Sequence, residues 1–504
     1  MLPLLLGALF LVAQATPPDG AADNLEDALR PRGGPHVNLG FNEWGLSVGN
    51  SPRWNGLRLN WWDDDIESID GVNVTVWRPG RVDQSELNGV GLGIWGPGAG
   101  EFNGVGLGFL ATEARRQSNG IMLTLGGNTS GGEANGIQLA GIANVADGEV
   151  TGVSASVFAN VSGGERTGIS LSAVANVSDG EQTGLSLGGI ANVAGGEMTG
   201  IGVSAISNVG GGGMTGLQIT GIGNITAGEM TGIQFAGIAN VSDGDMTGIH
   251  GALLAGVSSG EMTGLQLGGL AVVAESDMTG LSLGGFATVS QGEMTGIQLG
   301  GLATVGQGGM TGVNLGGLAV VSQGDMRGLN MGGLASVGQG SMTGINVGGL
   351  ATVAQGSMTG LNLGGLATAS EDEMIGINLS LLAVLSGMAD SQDDFFNFMD
   401  PVDSGAISGV SAALYRVQAR ELSGLSAALV MNRAQDFTGV SLAGYNGYGG
   451  MQTGLSVGLF NYAERLRGVQ LGILNYVPEN PPWARWLPLV NARFESGDEV
   501  PVAP

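Results

Sequence analysis

The stretch Met342-Thr343-Gly344-Ile345-Asn346-Val347-Gly348-Gly349-Leu350-Ala351-Thr352-Val353-Ala354-Gln355-Gly356-Ser357 is followed, with no insertion, by a near copy of itself that begins at Met358. The same methionine recurs every sixteen residues from Met198 to Met374. A period held over that length marks one structural unit repeated many times, so the repeat decides the fold.

Comparing the copies shows which columns are constrained. Ile137, Val153, Ile169 and Leu185 open one apolar column that runs to Ile377, and Leu139, Leu171 and Leu187 open another two residues on. Ile142 to Leu366 and Val145 to Val353 form a second pair, spaced by three. Spacing of two places both members of the first pair on one face of a strand. Ordinary burial preference then predicts these aliphatic residues inside and the intervening Gln, Ser or Asn outside, with a bend between the second pair. Glycines such as Gly200 and Gly216 precede the first strand, and Gly244 and Gly260 close the second, where positive φ or close backbone approach is expected.

A unit of two short strands and two tight corners cannot bury its own face, whereas stacked copies about 4.8 Å apart can. The expected fold is all-β: a parallel β-solenoid (β-helix) of sixteen-residue coils with capping segments at both ends, about seventeen coils making a rod roughly 80 Å long. Helical solenoids need about 33 residues per repeat and tolerate glycine poorly. Membrane barrels need strands of about 9 to 11 residues, and half a coil less its turn supplies about five.

The expected organisation is a signal peptide (1–15), a flexible leader (16–35), an aromatic β-rich cap (36–87) and the main solenoid (88–387, in strict register from about 118). An acidic aromatic insertion (388–404), a second solenoid segment of fourteen- and fifteen-residue steps (405–480) and a carboxy-terminal cap and tail (481–504) follow. The apolar run Leu2 to Val12 before Ala13-Gln14-Ala15 predicts export with cleavage before Thr16. No later stretch of about 18 apolar residues predicts a transmembrane helix.

Glycine supplies 98 of 504 residues without Gly-X-Y order, which excludes collagen. The 17 basic residues, all arginine, face 44 acidic ones, and a net charge of -27 opposes binding to nucleic acid or anionic lipid. With no cysteine, disulfides, thiol catalysis and thiolate metal sites are excluded.

Three stacked columns carry polar chemistry. Glu133, Glu149, Glu165, Glu181 and Glu197 begin an acidic ladder that is the candidate site for calcium, the one cofactor the sequence suggests. Its simpler reading is a solvated edge. A threonine column beside the methionines raises ice binding, and an asparagine column from Asn144 to Asn240 is expected to bond up and down the stack. The methionines are expected to fill a corner. His36 and His250 are the only histidines, and His250, in the column of outward Gln and Ser, is expected to be exposed. Asp63, Asp64, Asp65 and Glu67 beside Trp61 and Trp62 could host a sugar-cleaving pair, although acids in a turn are usually only solvated. No catalytic residue is assigned.

The segments Gly454-Leu455-Ser456-Val457-Gly458-Leu459-Phe460-Asn461-Tyr462, Gly468-Val469-Gln470-Leu471-Gly472-Ile473-Leu474-Asn475-Tyr476 and Leu487-Pro488-Leu489-Val490-Asn491 resemble the carboxy-terminal repeats of the bacterial surface-repeat proteins first described in leptospires. The resemblance covers about Gly439 to Phe494. It implies a secreted or outer-surface bacterial protein and transfers no catalytic residues. The expected function is an exported, non-enzymatic structural or interaction protein at the cell surface or outer membrane; the alternatives are a polysaccharide-binding or polysaccharide-cleaving β-helix and an ice-binding protein. Expected partners are a surface protein, a glycan or a second copy, approached through the glycine-rich face or through Trp61, Trp62, Phe395, Phe396 and Phe398.

Overall fold

The computed structural model describes residues 32–387 and 404–494, which fall into two compact units, Met1–Gly141 and Ile142–Pro504. Among the described residues every regular element is a β-strand, and each unit is a parallel β-solenoid. The segment expected to be a signal peptide (1–15), Phe395, Phe396, Phe398 and the final tail lie outside the described residues.

In the second unit one coil of the array is a seven-residue strand, a two-residue corner, a four-residue strand and a three-residue loop. Met342–Gly348, the corner Gly349-Leu350, and Ala351–Ala354 are representative. Each residue pairs with its equivalent one coil on, Met342 with Met358 and Asn346 with Asn362, so like side chains form ladders along the stack. Each unit also carries an antiparallel end. In the first, His36–Phe41 pairs with Trp44–Gly49 through a turn whose Asn42 and Glu43 have positive φ. In the second, Trp486–Arg493 runs antiparallel to the end of Tyr445–Tyr476, and Trp486 stacks on Tyr476 at 4.0 Å. Reversed strands close a parallel ladder whose last edge would otherwise be free.

The side chains inside the coils are the reverse of the sequence expectation. Met342, Asn346 and Thr352 are fully buried, while Ile345 and Leu350 are 44% and 47% exposed. The alternation is intact, with Met342, Gly344, Asn346 and Gly348 sharing the inward set and Thr343, Ile345 and Val347 the outward one. At the end of the long strand Gly348 lies against the short strand, where a Cβ would stand 1.7 Å from the carbonyl oxygen of Ala351, so no aliphatic side chain fits there. Methionine, amides and hydroxyls fill what remains.

Amides can occupy this interior because the stack satisfies them. Asn144 to Asn240 form a continuous ladder in which each Nδ2 donates to the next Oδ1 at 2.8 to 3.2 Å. From Asn314 to Asn378 the ladder moves to the long strand, with links of 2.8 to 2.9 Å, and from Asn432 to Asn475 it returns to the short one. Thr304 and Thr352 hold the short-strand column where asparagine is missing, donating to the carbonyls of Leu315 and Leu363. A buried amide with both partners in place loses little on leaving water.

The glycine column lies within the strand rather than ahead of it. Gly344 has φ +116°, and a Cβ there would stand 2.2 Å from the carbonyl oxygen of Gly328 in the preceding coil. Both its conformation and this approach exclude a side chain.

Candidate interaction surfaces

His250 corrects a second expectation: it is 1% exposed, in the inward column between Gln234 and Gln266. Neither ring nitrogen makes a well-formed hydrogen bond. Burial pushes its pKa down to about 4, with a weak backbone contact at Thr247 opposing in part. The neighbouring Gly256 stands where the earlier coils carry asparagine, and a Cβ there would meet nothing within 4 Å. Arg166, in the methionine column, is likewise buried, and desolvation lowers its pKa to about 10.

The acidic turn near the tryptophans offers no free carboxylate pair. Asp63 is fully buried, paired with Arg58 and accepting a 2.9 Å bond from Asn73. Asp64 and Asp65 both face Arg81, at 3.6 and 2.7 Å, and Glu67 pairs with Arg53. A sugar-cleaving pair needs two carboxylates free to meet the glycosidic bond, and here each of the four is engaged by an arginine. Trp61 and Trp62, at 59% and 49% exposed, do project as an open aromatic surface.

The acidic ladder lies along the three-residue loops. Glu133, Glu149, Glu165 and Glu181 are exposed and Glu197 half-buried, its Oε1 accepting from Thr199 and Thr215 at 3.1 and 2.9 Å. Among the described residues no group of three or more His, Asp or Glu side chains could hold a metal ion. One carboxylate per coil supplies too few converging oxygens for calcium.

The glycine-rich face does not present outward Gln, Ser or Asn, because those side chains point in. Its outward columns are aliphatic. The resulting surface, missed in the sequence reading, borders two shallow grooves of about 1180 and 970 Å³ along the Gly-Leu corner of the second unit. Ser380 is the only polar residue lining either groove. The legible signal was the change at that corner from paired glycines, such as Gly300-Gly301, to Leu253 on one side and Leu381 on the other.

No family model, curated protein or solved structure matches the chain. Among the described residues no helix is long and apolar enough to cross a membrane.

Proposed function

We infer that this chain is an exported, non-enzymatic structural and interaction protein of the bacterial surface-repeat kind, in which the solenoid presents aliphatic ladders to a partner. The observation that carries the reading is the inverted coil. Polar side chains are consumed by ladders inside, and what the stack offers outside is a regular apolar face, a hallmark of surfaces that meet other surfaces. Fractionation of the producing cell tests it: the chain is expected at the envelope or in the medium with Thr16 as its first residue. Recovery from the cytosol with Met1 intact overturns the export reading.

Trp61 and Trp62 favour a second reading, glycan binding, since exposed indoles stack on sugar rings and the adjacent carboxylates are held by arginines. Retention on a polysaccharide column that is lost in a Trp61→Ala, Trp62→Ala variant supports binding. Release of reducing ends would make the protein an enzyme and overturn the non-enzymatic reading.

A further inference from the structure

Resting on that reading, the geometry points to the partner of the Gly-Leu corner: a second copy of this chain, docked antiparallel across a twofold axis. The first residue after the long strand changes character along the second unit. From Gly269 to Gly365 it is glycine in seven successive coils, leaving a trough whose floor carries no side chains. At the equivalent place in the following coils stand Leu381, Leu414, Leu429, Gly444 and Leu459, and these leucines, at 51%, 52%, 72% and 63% exposure, form a ridge along one side of the larger groove. The backbone corner itself does not demand glycine, since Val157 and Leu253 occupy the same place in earlier coils.

Trough and ridge adjoin end to end on one edge with one coil pitch. Turning a copy about a twofold axis between Gly365 and Leu381 lays each ridge in the other's trough. Leu381 then meets the second copy's Gly365, Leu414 its Gly349, Leu429 its Gly333 and Leu459 its Gly301, all in register. Such an arrangement is isologous and closes on itself. Ten coils at about 4.8 Å give a seam about 48 Å long, and four to five residues across make it about 15 Å wide. That is about 700 Å² per copy, or about 1,400 Å² in total, within the range of stable interfaces. Charge agrees with the arrangement, because the acidic column occupies the loop at the far end of the short strand, and the docked edges carry no charged lining residue.

The test uses the full chain. Sedimentation and light scattering are expected to give twice the mass of one chain, and a Leu429→Asp, Leu459→Asp variant is expected to weaken the dimer at least tenfold while its circular dichroism is unchanged. The chain has no cysteine, so single-cysteine variants locate the axis. With an added oxidant, Leu381→Cys is expected to cross-link two copies, its sulfurs being one coil apart across the axis, and Leu459→Cys is not, being nine coils apart, about 43 Å. A monomer at every concentration, or cross-linking of Leu459→Cys as readily as Leu381→Cys, overturns the proposal. Binding of a monomer to phosphatidylcholine vesicles through this edge would also overturn it, while leaving the interaction-protein reading standing. Cytosolic recovery would remove export and leave the seam.

Discussion

The coils between Arg53 and Thr124 and those between Met310 and Ser380 share a positive-φ glycine at the same place in the strand and turn their aliphatic residues out, Leu57 and Leu107 in the first as Ile345 in the second, but fill the inward column differently. The first set buries Trp54, Ile69, Leu87 and Phe102 in the inward column and ladders Asn88, Asn103 and Asn119 on the outward side at 2.9 to 3.0 Å. The second set buries methionine there and carries an asparagine ladder on the inward side. The difference teaches that the room left by neighbouring side chains, rather than hydrophobicity alone, decides what stands in the inward column. Where Phe102 fills one inward position, Gly91 and Gly106 clear the next, a Cβ at either lying 2.8 or 3.1 Å from the ring. Where methionine stands, an amide fits beside it, and at Gly202 the missing side chain makes room for Gln218. Amides are tolerated on either side, because the stack offers a partner one coil away wherever they sit.

The largest expected effect tests the apolar interior. Phe102→Ala removes the ring around which two glycines are arranged, and the neighbouring positions cannot grow to fill the gap. A loss of about 3 to 5 kcal/mol is expected in chemical denaturation. A change below about 1 kcal/mol would mean that the first set, too, is held mainly by its ladders.

Asn346→Leu tests the other interior. It strands the Nδ2 of Asn330 and the Oδ1 of Asn362 and adds a branched side chain to a narrow space, for an expected loss of about 2 to 4 kcal/mol. Adding an apolar residue to a protein core is ordinarily expected to help. Unchanged or increased stability would place this side chain outside.

His250 sharpens the comparison through pH. Its folded pKa of about 4 lies below the unfolded value of about 6.5, so between these values the unfolded chain holds the extra proton. Stability is therefore complete above about pH 6.5, falls as pH drops toward 4, and levels off below it, by up to about 3 kcal/mol. His250→Gln, matching the glutamines on either side, is expected to abolish this component of the acid slope. An identical slope in both proteins would show that the imidazole reaches water.

The sixteen-residue coil, the strands and the in-register ladders were legible because they depend on period alone, and the closing of the ends because the period gives way there to aromatic segments. The side of the sheet was not. Alternation defines two sets, {Met342, Gly344, Asn346, Gly348} and {Thr343, Ile345, Val347}, and does not say which faces in. Burial preference favours the second set; the structure encloses the first, with Gly348 set against the short strand where no side chain fits. The misplacement of His250 and of the Gln, Ser and Asn beside it in the column followed from that one choice. The paired arginines of the acidic turn were illegible for a different reason: Arg81 comes from the next coil, and only the stacking brings it to Asp64 and Asp65.

The smallest expected effect is the most diagnostic of the inversion. Ile345→Asn puts an amide where the coil has a branched aliphatic residue, and in a conventional solenoid it would bury an unpaired polar group at a cost of several kcal/mol. Here Ile345 is 44% exposed, on the outward face of a strand whose backbone bonds are complete. The new side chain meets water, and the expected change is within about 0.5 kcal/mol. Paired with Asn346→Leu in the adjacent position, the measurement reads the two faces of one strand. A large loss at 346 with none at 345 fixes the amide ladder inside, and the opposite pattern would turn the coil the other way out.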